Sequence, residues 1–527
     1  MTPPQPVYLD YAATTPVDPA VAEAMGRCLT DFDCVGNASS VTHVFGRRAA
    51  ERIERARAEV AALIGAAPAE IVFTSGATES NNLAILGAAR ANAYRGRHIV
   101  SSRIEHKAVL DPLKRLEKEG FTVTLLSPDR RGRIDPDAVA AALRPDTVLA
   151  SIMLVNNEIG AIGDVAAIGA LCRGRGVLLH SDAAQAAGKI PLDMHALPLD
   201  FASVTAHKLY GPKGVGALYV RSEARAHLQP ILFGGGQERG LRPGTLPTHQ
   251  IAGFGVACDL ARRELTAEYG RLAGLRDRLW RGLATLEGVH ANGEGAACVP
   301  GILNVSFEGV EGESLVAGLP ELAVATGSAC NSASAEPSYV LRALGRDTQL
   351  AQSSLRLSFG RFSVPQHIDI AVAAIRREVT RLRKLSPASE PSGGPRECGY
   401  GLRAPGSWSA GQTAGHTADD IVGEAGGPGQ EVWVRFRLQI ADGVVKSALF
   451  KAYGCPHTLA VAAWVTDRLR GRGRADLAPG TPAEWAEALA VPVEKLGRLL
   501  VVEDALADCA RHWPGTGTCP AAAGGGH

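Results

Sequence analysis

The sequence predicts an α/β chain: a mostly parallel, helix-covered sheet, a second and smaller α/β domain, and then a separate small α+β module. Three observations carry this expectation. Up to about residue 385, short apolar runs alternate with longer helical patterns, an order that lays helices on both faces of a parallel sheet. From Ser386 to about Gly429 the composition turns to Ser, Gly, Pro and Ala, as in Ser392-Gly-Gly-Pro395 and Gly426-Gly-Pro-Gly429, which is linker chemistry. Beyond it, Val432, Val434, Phe436, Leu438 and Ile440 alternate strictly with Trp433, Arg435, Arg437 and Gln439, the period of a half-buried strand.

The elements follow in order. Ile71-Val-Phe-Thr, His98-Ile-Val-Ser, Val123-Thr-Leu-Leu, Val148 to Leu154 and Val177-Leu-Leu-His180 read as buried strands, with helices over Ala49 to Ile64 and Ala166 to Arg173 between them. From about 265 to 380, longer helices (Tyr269 to Leu286, Ile368 to Leu385) surround a few strands. In the last module Asp442-Gly443 supplies a hairpin turn and Val444 to Tyr453 the return strand. Pro456 suits the first position of a helix reaching Leu469, and two more helices are expected near Ala483 to Leu489 and Val493 to Ala510. The expected organisation is a large domain over 1–264, a smaller one over 265–385, a linker over 386–420, a module over 421–515 and a tail over 516–527.

Composition excludes several function classes. The 55 basic residues nearly cancel the 54 acidic ones, so neither nucleic acid nor an anionic membrane is expected as the main partner. No uninterrupted apolar stretch approaches the roughly eighteen residues of a membrane span. The N-terminal residues Met1 to Asp10 have neither the basic start nor the apolar core of a signal peptide. Ten cysteines scattered without a CxxC pair argue against a disulfide framework, and a cytoplasmic location is the default expectation.

One cysteine stands apart. Cys330 lies in Ala325-Thr-Gly-Ser-Ala-Cys330-Asn-Ser-Ala-Ser-Ala-Glu336, a run of small and polar residues with no apolar period. Cysteines used for packing usually sit among Leu, Val and Ile. This one is expected on a loop, accessible, just ahead of a helix opening at Pro337-Ser-Tyr-Val. Upstream, Leu179-His-Ser-Asp182 ends a strand, and Ser203-Val-Thr-Ala-His207-Lys208-Leu-Tyr-Gly follows. A Schiff-base lysine with an acid partner for a pyridinium nitrogen is what a pyridoxal 5'-phosphate site requires. The bland reading of Lys208 is a solvated surface lysine. The hydroxyls, imidazole and glycines around it favour the cofactor instead, because a phosphate needs such donors.

Two further segments would complete the cradle. Phe73-Thr-Ser-Gly76-Ala77-Thr78 reads as a strand, a glycine turn and a helix start, which aims backbone N–H groups and the Thr78 hydroxyl at a phosphate. His106, in Ser101-Ser-Arg-Ile-Glu-His106, ends another strand. A lone histidine is more often structural, but beside a pyridoxal site it could stack on the ring and shuttle protons.

Together, Tyr8-Leu-Asp-Tyr-Ala-Ala-Thr-Thr-Pro16, Val155-Asn-Asn-Glu-Ile-Gly160, the Lys208 segment, Thr326 to Gly345 and Ser354-Leu-Arg-Leu-Ser-Phe-Gly-Arg361 resemble the cysteine desulfurases over roughly residues 5–385. These are class V aminotransferases of fold type I, and the resemblance is to their housekeeping iron–sulfur-cluster type. It implies a seven-stranded, mostly parallel sheet and conversion of L-cysteine to L-alanine with sulfur left as a persulfide on Cys330. Lys208 would hold the cofactor, Asp182 its pyridine nitrogen and Gln185 its ring hydroxyl, with His106 stacked above. Ala77, Thr78, Thr205 and His207 would hold the phosphate, and Thr245 would reach it from the other subunit of a homodimer. Asn157 would contact cofactor and substrate, and Arg356 would clamp the substrate carboxylate with a bidentate fork. The family usually has serine where Pro243 stands, and a stiffer turn is expected there. A selenocysteine lyase or another class V aminotransferase-like enzyme would share the lysine, aspartate and histidine; the thiol segment favours the desulfurase.

The last module resembles iron–sulfur scaffold proteins through Phe450-Lys-Ala-Tyr-Gly-Cys455 and Val502-Glu-Asp-Ala-Leu506. A cluster needs several thiolates, and here Cys455 alone matches. Gly429 stands near the first ligand position and Gly497-Arg498 near the expected His-Cys pair, while Cys509, His512 and Cys519 fit no site by spacing. No metal site is assigned. Cys330 is the candidate for a shared cluster ligand, and Cys455 is either a remnant ligand, an acceptor of sulfur from Cys330 or a packing residue. The module is expected to be a degenerate scaffold that relays sulfur or docks, and a sulfur-acceptor or scaffold protein is the expected partner.

Overall fold

The computed structural model describes residues 5–310, 312–326, 337–385, 420–427, 432–454, 456–489, 491 and 496–513. Cys330, Cys455, Gly429, Cys519, residues 386–419 of the linker expected over 386–420 and the tail lie outside the described residues, while Asp420–Gly427, inside the stretch whose composition reads as linker, form a strand. The chain divides into two units, Met1–Ser386 and Pro387–His527.

The first unit is built on a seven-stranded sheet: β1 (Ile71–Thr74), β2 (His98–Ser102), β3 (Thr122–Leu126), β4 (Thr147–Ser151), β5 (Leu178–Asp182), β6 (Phe201–Thr205) and β7 (Gly216–Val220). Their order across the sheet is β1-β7-β6-β5-β4-β2-β3, with β7 antiparallel to both neighbours and the other pairs parallel. β1, β2, β4, β5, β6 and β7 are buried at every residue. Burial on both faces explains why these strands read as continuous apolar runs without alternation. The crossover helices α1 (Ala77–Ala91), α2 (Lys107–Glu117) and α3 (Val165–Gly174) cover the sheet. The C-terminal ends of β2, β4, β5 and β6 share one edge, where open α/β sheets place their ligands. The strand expected through Leu154 ends at Ser151, although the Ile152 and Leu154 N–H groups still donate to the His180 and Asp182 carbonyls of β5, each at 3.1 Å.

Helix α4 (Thr248–Leu283) runs 36 residues without a break. The boundary expected at residue 264 therefore falls inside a helix. Sequence periodicity picked out only its second half, beyond Tyr269, because the first half is buried on more than one side and carries a weaker stripe. A four-stranded antiparallel sheet follows, made of β8 (Val289–Ala291), β9 (Ile302–Phe307), β10 (Ala325–Thr326) and β11 (Ser354–Ser358) in the order β10-β11-β9-β8. Leu303, Val305, Phe307, Leu355 and Leu357 pack on Leu275 and Leu279 of α4 and on Ile375 and Val379 of a second long helix, Pro365–Leu385. Near the N-terminus, Val7–Tyr8 pairs in parallel with Leu322–Ala323 and so joins the chain's start to this smaller layer.

In the second unit, Asp420–Gly427, Val432–Ala441 and Val444–Tyr453 form an antiparallel meander. Asp442 and Gly443 both take positive φ (54° and 73°), as a tight hairpin turn requires. Helices Pro456–Thr466, Pro482–Ala488 and Leu496–Arg511 follow, and their apolar residues share a core with Val434, Phe436 and Leu438. The helix expected to reach Leu469 ends at Thr466. Trp485 is fully buried and donates its indole N–H to the Pro479 carbonyl at 3.1 Å. Among the described residues no helix is long and apolar enough to cross a membrane.

Candidate active site

Thr205 ends β6, and the next three residues, Ala206–Lys208, form a single 3-10 turn that carries Lys208 off the sheet edge. The turn is pinned from the N-terminal segment. Thr15 donates from both its N–H (2.9 Å) and its hydroxyl (3.0 Å) to the His207 carbonyl, and its hydroxyl accepts the Tyr210 N–H at 2.8 Å. Tyr210 sits at φ 61°, a conformation a bulky side chain rarely takes, so these bonds hold a strained bend directly after the lysine.

Asp182 ends the neighbouring strand β5 and is nearly fully buried. Its Oδ2 accepts from Asn81 Nδ2 at 2.8 Å and its Oδ1 accepts from the Ala184 N–H at 3.0 Å, so the carboxylate is held in one orientation. Sequence reasoning missed Asn81. It stands one helical turn beyond Ala77 on α1, the spacing that brings it back over the strand ends.

His106 is the N-cap of α2, and its Nδ1 accepts the Ala108 N–H at 3.1 Å. In the neutral ring the proton therefore sits on Nε2. Burial holds the imidazole below its usual titration range, and the nearby Lys208 ammonium pushes it further down. His207 is pushed down to about 4 by burial and by the charges of Lys208, Lys213 and Lys189. Its Nδ1 lies 3.2 Å from the Thr14 hydroxyl.

Arg356, on β11, has only 2% of its surface exposed. Nη1 donates to the Asn157 carbonyl at 3.0 Å and Nη2 to Asp10 Oδ1 at 2.8 Å. The pairing with Asp10 was not legible in the sequence, since the two residues lie at opposite ends of the unit. Gln185 is also engaged: Nε2 donates to the Ala12 carbonyl at 2.8 Å, and Oε1 accepts from Lys189. An amide nitrogen keeps a second hydrogen beyond the bond to Ala12.

The phosphate side is built from β1, α1 and β6. Thr74 and Thr205 both pair with Gly216 across β7. A side chain at Gly216 would bring its Cβ within 2.6 Å of the Gly76 Cα, so glycine there lets the turn before α1 approach the end of β6. Gly76, the N-cap of α1, has φ 147° and gives the helix no side-chain cap. Ala77 and Thr78 occupy the first turn, with Thr78 exposed. Thr245 is exposed on the loop after Arg242, which pairs with Glu79 of α1 at 2.8 Å and so ties that loop to the same helix start.

Whether this set fits pyridoxal phosphate can be tested on atoms that the protein leaves wanting. Thr205 Oγ1, Asn157 Oδ1 and Arg356 Nε are buried side-chain atoms without a partner among the described residues. Such atoms are rare because each costs free energy. They coincide with residues expected to hold phosphate, cofactor and substrate carboxylate. An uncapped helix N-terminus faces an anion favourably, and a buried, doubly bonded carboxylate suits a protonated ring nitrogen. The residues fit the group.

The family profile described as aminotransferase class-V matches residues 7–370. The chain belongs to this family, in its cysteine desulfurase branch. It is 56% identical over 385 residues to the cysteine desulfurase IscS of Pectobacterium atrosepticum, covering 73% of this chain and 95% of that protein. It is 56% identical over 382 residues to the IscS of Azotobacter vinelandii, covering 72% and 95%. Among solved structures, a NifS-like protein superposes with a TM-score of 0.65 at 35% identity over 72% of this chain and 99% of that one. A structure described as SspA in complex with cysteine gives 0.61 at 37% identity over 68% and 99%. These class-V relatives align with the first unit, so the predicted α/β layering with a cofactor edge is the family's fold.

Proposed function

We propose that the chain is a pyridoxal-phosphate-dependent cysteine desulfurase, converting L-cysteine to L-alanine and carrying the released sulfur as a persulfide on Cys330. Within the class-V aminotransferases one observation favours this chemistry: relatives named cysteine desulfurase share 54–56% identity with the chain and are covered over 95% of their length. When bound, the cofactor supplies an electron sink for the substrate's α-carbon.

The chain's residues do the rest. Lys208 holds the cofactor and offers its amine as a base once displaced. Asp182, fixed by Asn81, keeps a proton on the ring nitrogen. Thr205, His207, Ala77 and Thr78 surround the phosphate, Gln185 turns its remaining amide hydrogen toward the ring hydroxyl, and Asn157 reaches the cofactor with Oδ1. Arg356 draws in the substrate carboxylate, its guanidinium already aimed by Asp10 and the Asn157 carbonyl. His106, neutral and protonated on Nε2, moves a proton at the substrate thiol. The Cys330 thiolate then attacks the substrate sulfur, so that an S–S bond forms as the carbon–sulfur bond breaks. A free thiol titrates near 8.5, so this attack needs a base to take its proton.

Homodimerisation, with Thr245 reaching the neighbouring phosphate, and a cytoplasmic location belong to the same reading. The test is Cys330→Ser in the full chain with the cofactor bound. Alanine and sulfide formation from cysteine should be lost while the cofactor absorbance stays; full turnover by the variant would overturn the assignment.

Residues 421–515 form, on this proposal, a degenerate scaffold-like module that docks or relays sulfur. A three-stranded antiparallel sheet backed by helices supports it, as does the single matching thiol at Cys455. Incubation with labelled cysteine and mapping of persulfides by mass spectrometry separates the roles: label on Cys455 as well as Cys330 means relay, and label on Cys330 alone means docking.

A further inference from the structure

The residues that follow the Cys330 segment are clamped onto both catalytic segments of the large sheet. Ser338 donates its hydroxyl to Glu158 Oε2 at 2.5 Å, and the Tyr339 hydroxyl donates to the Glu105 carbonyl at 2.7 Å. Glu158 follows Asn157, whose carbonyl receives Arg356, and Glu105 precedes His106. Between these two bonds, Val340, Leu341 and Leu344 pack with Ile104, Met153, Ile159 and Ala161 in one buried cluster. Ahead of the thiol, Ala325 and Thr326 pair directly with Arg356 and Leu355. Both stems of the segment are therefore fastened around Arg356.

The apolar cluster by itself would bury the short helix Tyr339–Ala343. The polar contacts add something else. Glu158 is 2% and Ser338 3% exposed, and burial pushes the Glu158 carboxyl up to about 7. A buried polar pair of this kind gains little net stability but leaves a costly orphan if the register slips.

We propose that Glu158, Ser338 and Tyr339 are positioning residues for sulfur transfer: they fix the C-terminal stem of the thiol segment against the segments bearing Asn157 and His106, and so set where the Cys330 thiol meets the sulfur of bound cysteine. The inference rests on the desulfurase reading. It is tested in the full chain with cofactor bound, using Ser338→Ala, Tyr339→Phe and the double variant, with Ser338→Thr as the conservative rescue and Cys330→Ser as the control. The readouts are single-turnover persulfide formation on Cys330 by mass spectrometry, steady-state kinetics, cofactor absorbance and melting temperature.

Misplacement by an ångström costs up to about a hundredfold, so persulfide formation and kcat should fall about 10- to 100-fold. KM should stay within about twofold, because substrate binding is untouched. Cofactor absorbance should hold while the melting temperature falls by a few degrees, because Glu158 loses its partner and the helix Tyr339–Ala343 its cap, and Ser338→Thr should recover most of the rate. Wild-type rates in the double variant would overturn the proposal. So would a loss of rate that tracks lost cofactor, or one that disappears when the assay is run well below the melting temperature, which marks a purely structural role. Full turnover in Cys330→Ser would instead sink the assignment of the persulfide to Cys330, on which the proposal rests, a result distinct from either.

Discussion

Arg356 concentrates the chemistry of the site in one side chain. It is buried, pinned by Asp10 and the Asn157 carbonyl, and its Nε has no partner among the described residues. A guanidinium held by two acceptors is pre-aimed for a planar carboxylate, which a lysine cannot imitate. Arg356→Lys should lower kcat/KM for cysteine by about 10- to 100-fold, the worth of one or two charge-assisted hydrogen bonds. Steady-state assays of alanine release check this, with cofactor absorbance retained. His106 carries a second expectation. Burial and the Lys208 charge lower its titration, so the neutral ring persists to more acid pH than a solvated histidine. The acid limb of kcat should therefore lie below the usual histidine value of about 6.5, as a pH–rate profile would reveal, and His106→Ala should slow turnover by about 10²- to 10⁴-fold.

At the scale of elements, polar side chains fasten the sheet edge to its surroundings. The helix Val44–Ile64 sends Arg57 to Glu238 in a bidentate pair at 2.7 and 2.8 Å, and Glu238 also accepts the Phe73 N–H of β1 at 2.7 Å. Both partners are nearly fully buried, and Glu238 and Arg239 take left-handed backbone angles to make the contact. The arrangement fixes the strand that delivers Gly76 to the phosphate side. Glu238→Ala removes the buried carboxylate from Arg57, leaving it the exposed Glu54 on Nε and the Ile71 carbonyl on Nη1, and should cost about 3 kcal/mol of stability, measured by denaturant unfolding. Helix α4 teaches a different lesson. Its 36 residues cross the expected domain boundary because one half packs on the large core and the other on the small sheet. Ala261 on the large core and Leu272 on the small sheet are eleven residues, about three turns, apart and so share one face, while burial of Gly253 and Gly255 on further faces blurs the stripe of the first half.

At the scale of the molecule, buried titratable groups set opposing pH dependences. Glu105 is fully buried and its carboxyl is pushed up to about 8, against an ordinary 4.5. The native state thus binds more protons than the unfolded state between these values, and that contribution to stability is lost as pH rises from about 4.5 to 8. His180, buried and pushed down to about 4, acts with the opposite sign: its neutral form favours folding above 6.5, and the contribution is lost as pH falls toward 4. Glu105→Gln should therefore flatten the alkaline fall in melting temperature between pH 5 and 8, seen by calorimetry against the parent chain. The division into two units gives a further expectation. Because relatives align with the first unit over 95% of their length, a chain ending at Ser386 should fold and turn over cysteine, checked by alanine release; its failure would make the second unit part of the catalytic machinery.

The sequence by itself determined the alternation of strands and helices, the hairpin at Asp442-Gly443, and the chemical identities of Lys208, Asp182, His106 and Arg356, because burial period, turn chemistry and side-chain type are local properties of the chain. Only the tertiary structure decided what orients them. Asn81 on Asp182, Asp10 on Arg356, Thr15 on the lysine turn, and Ser338 on Glu158 join residues that are 101, 346, about 195 and 180 positions apart. No period or spacing encodes such pairs, since they arise where strands distant in the chain end on the same edge of a sheet. The thiol of Cys330 is chemistry written in the residues around it, whereas the pairing of Ser338 with Glu158 beyond it is a product of the fold.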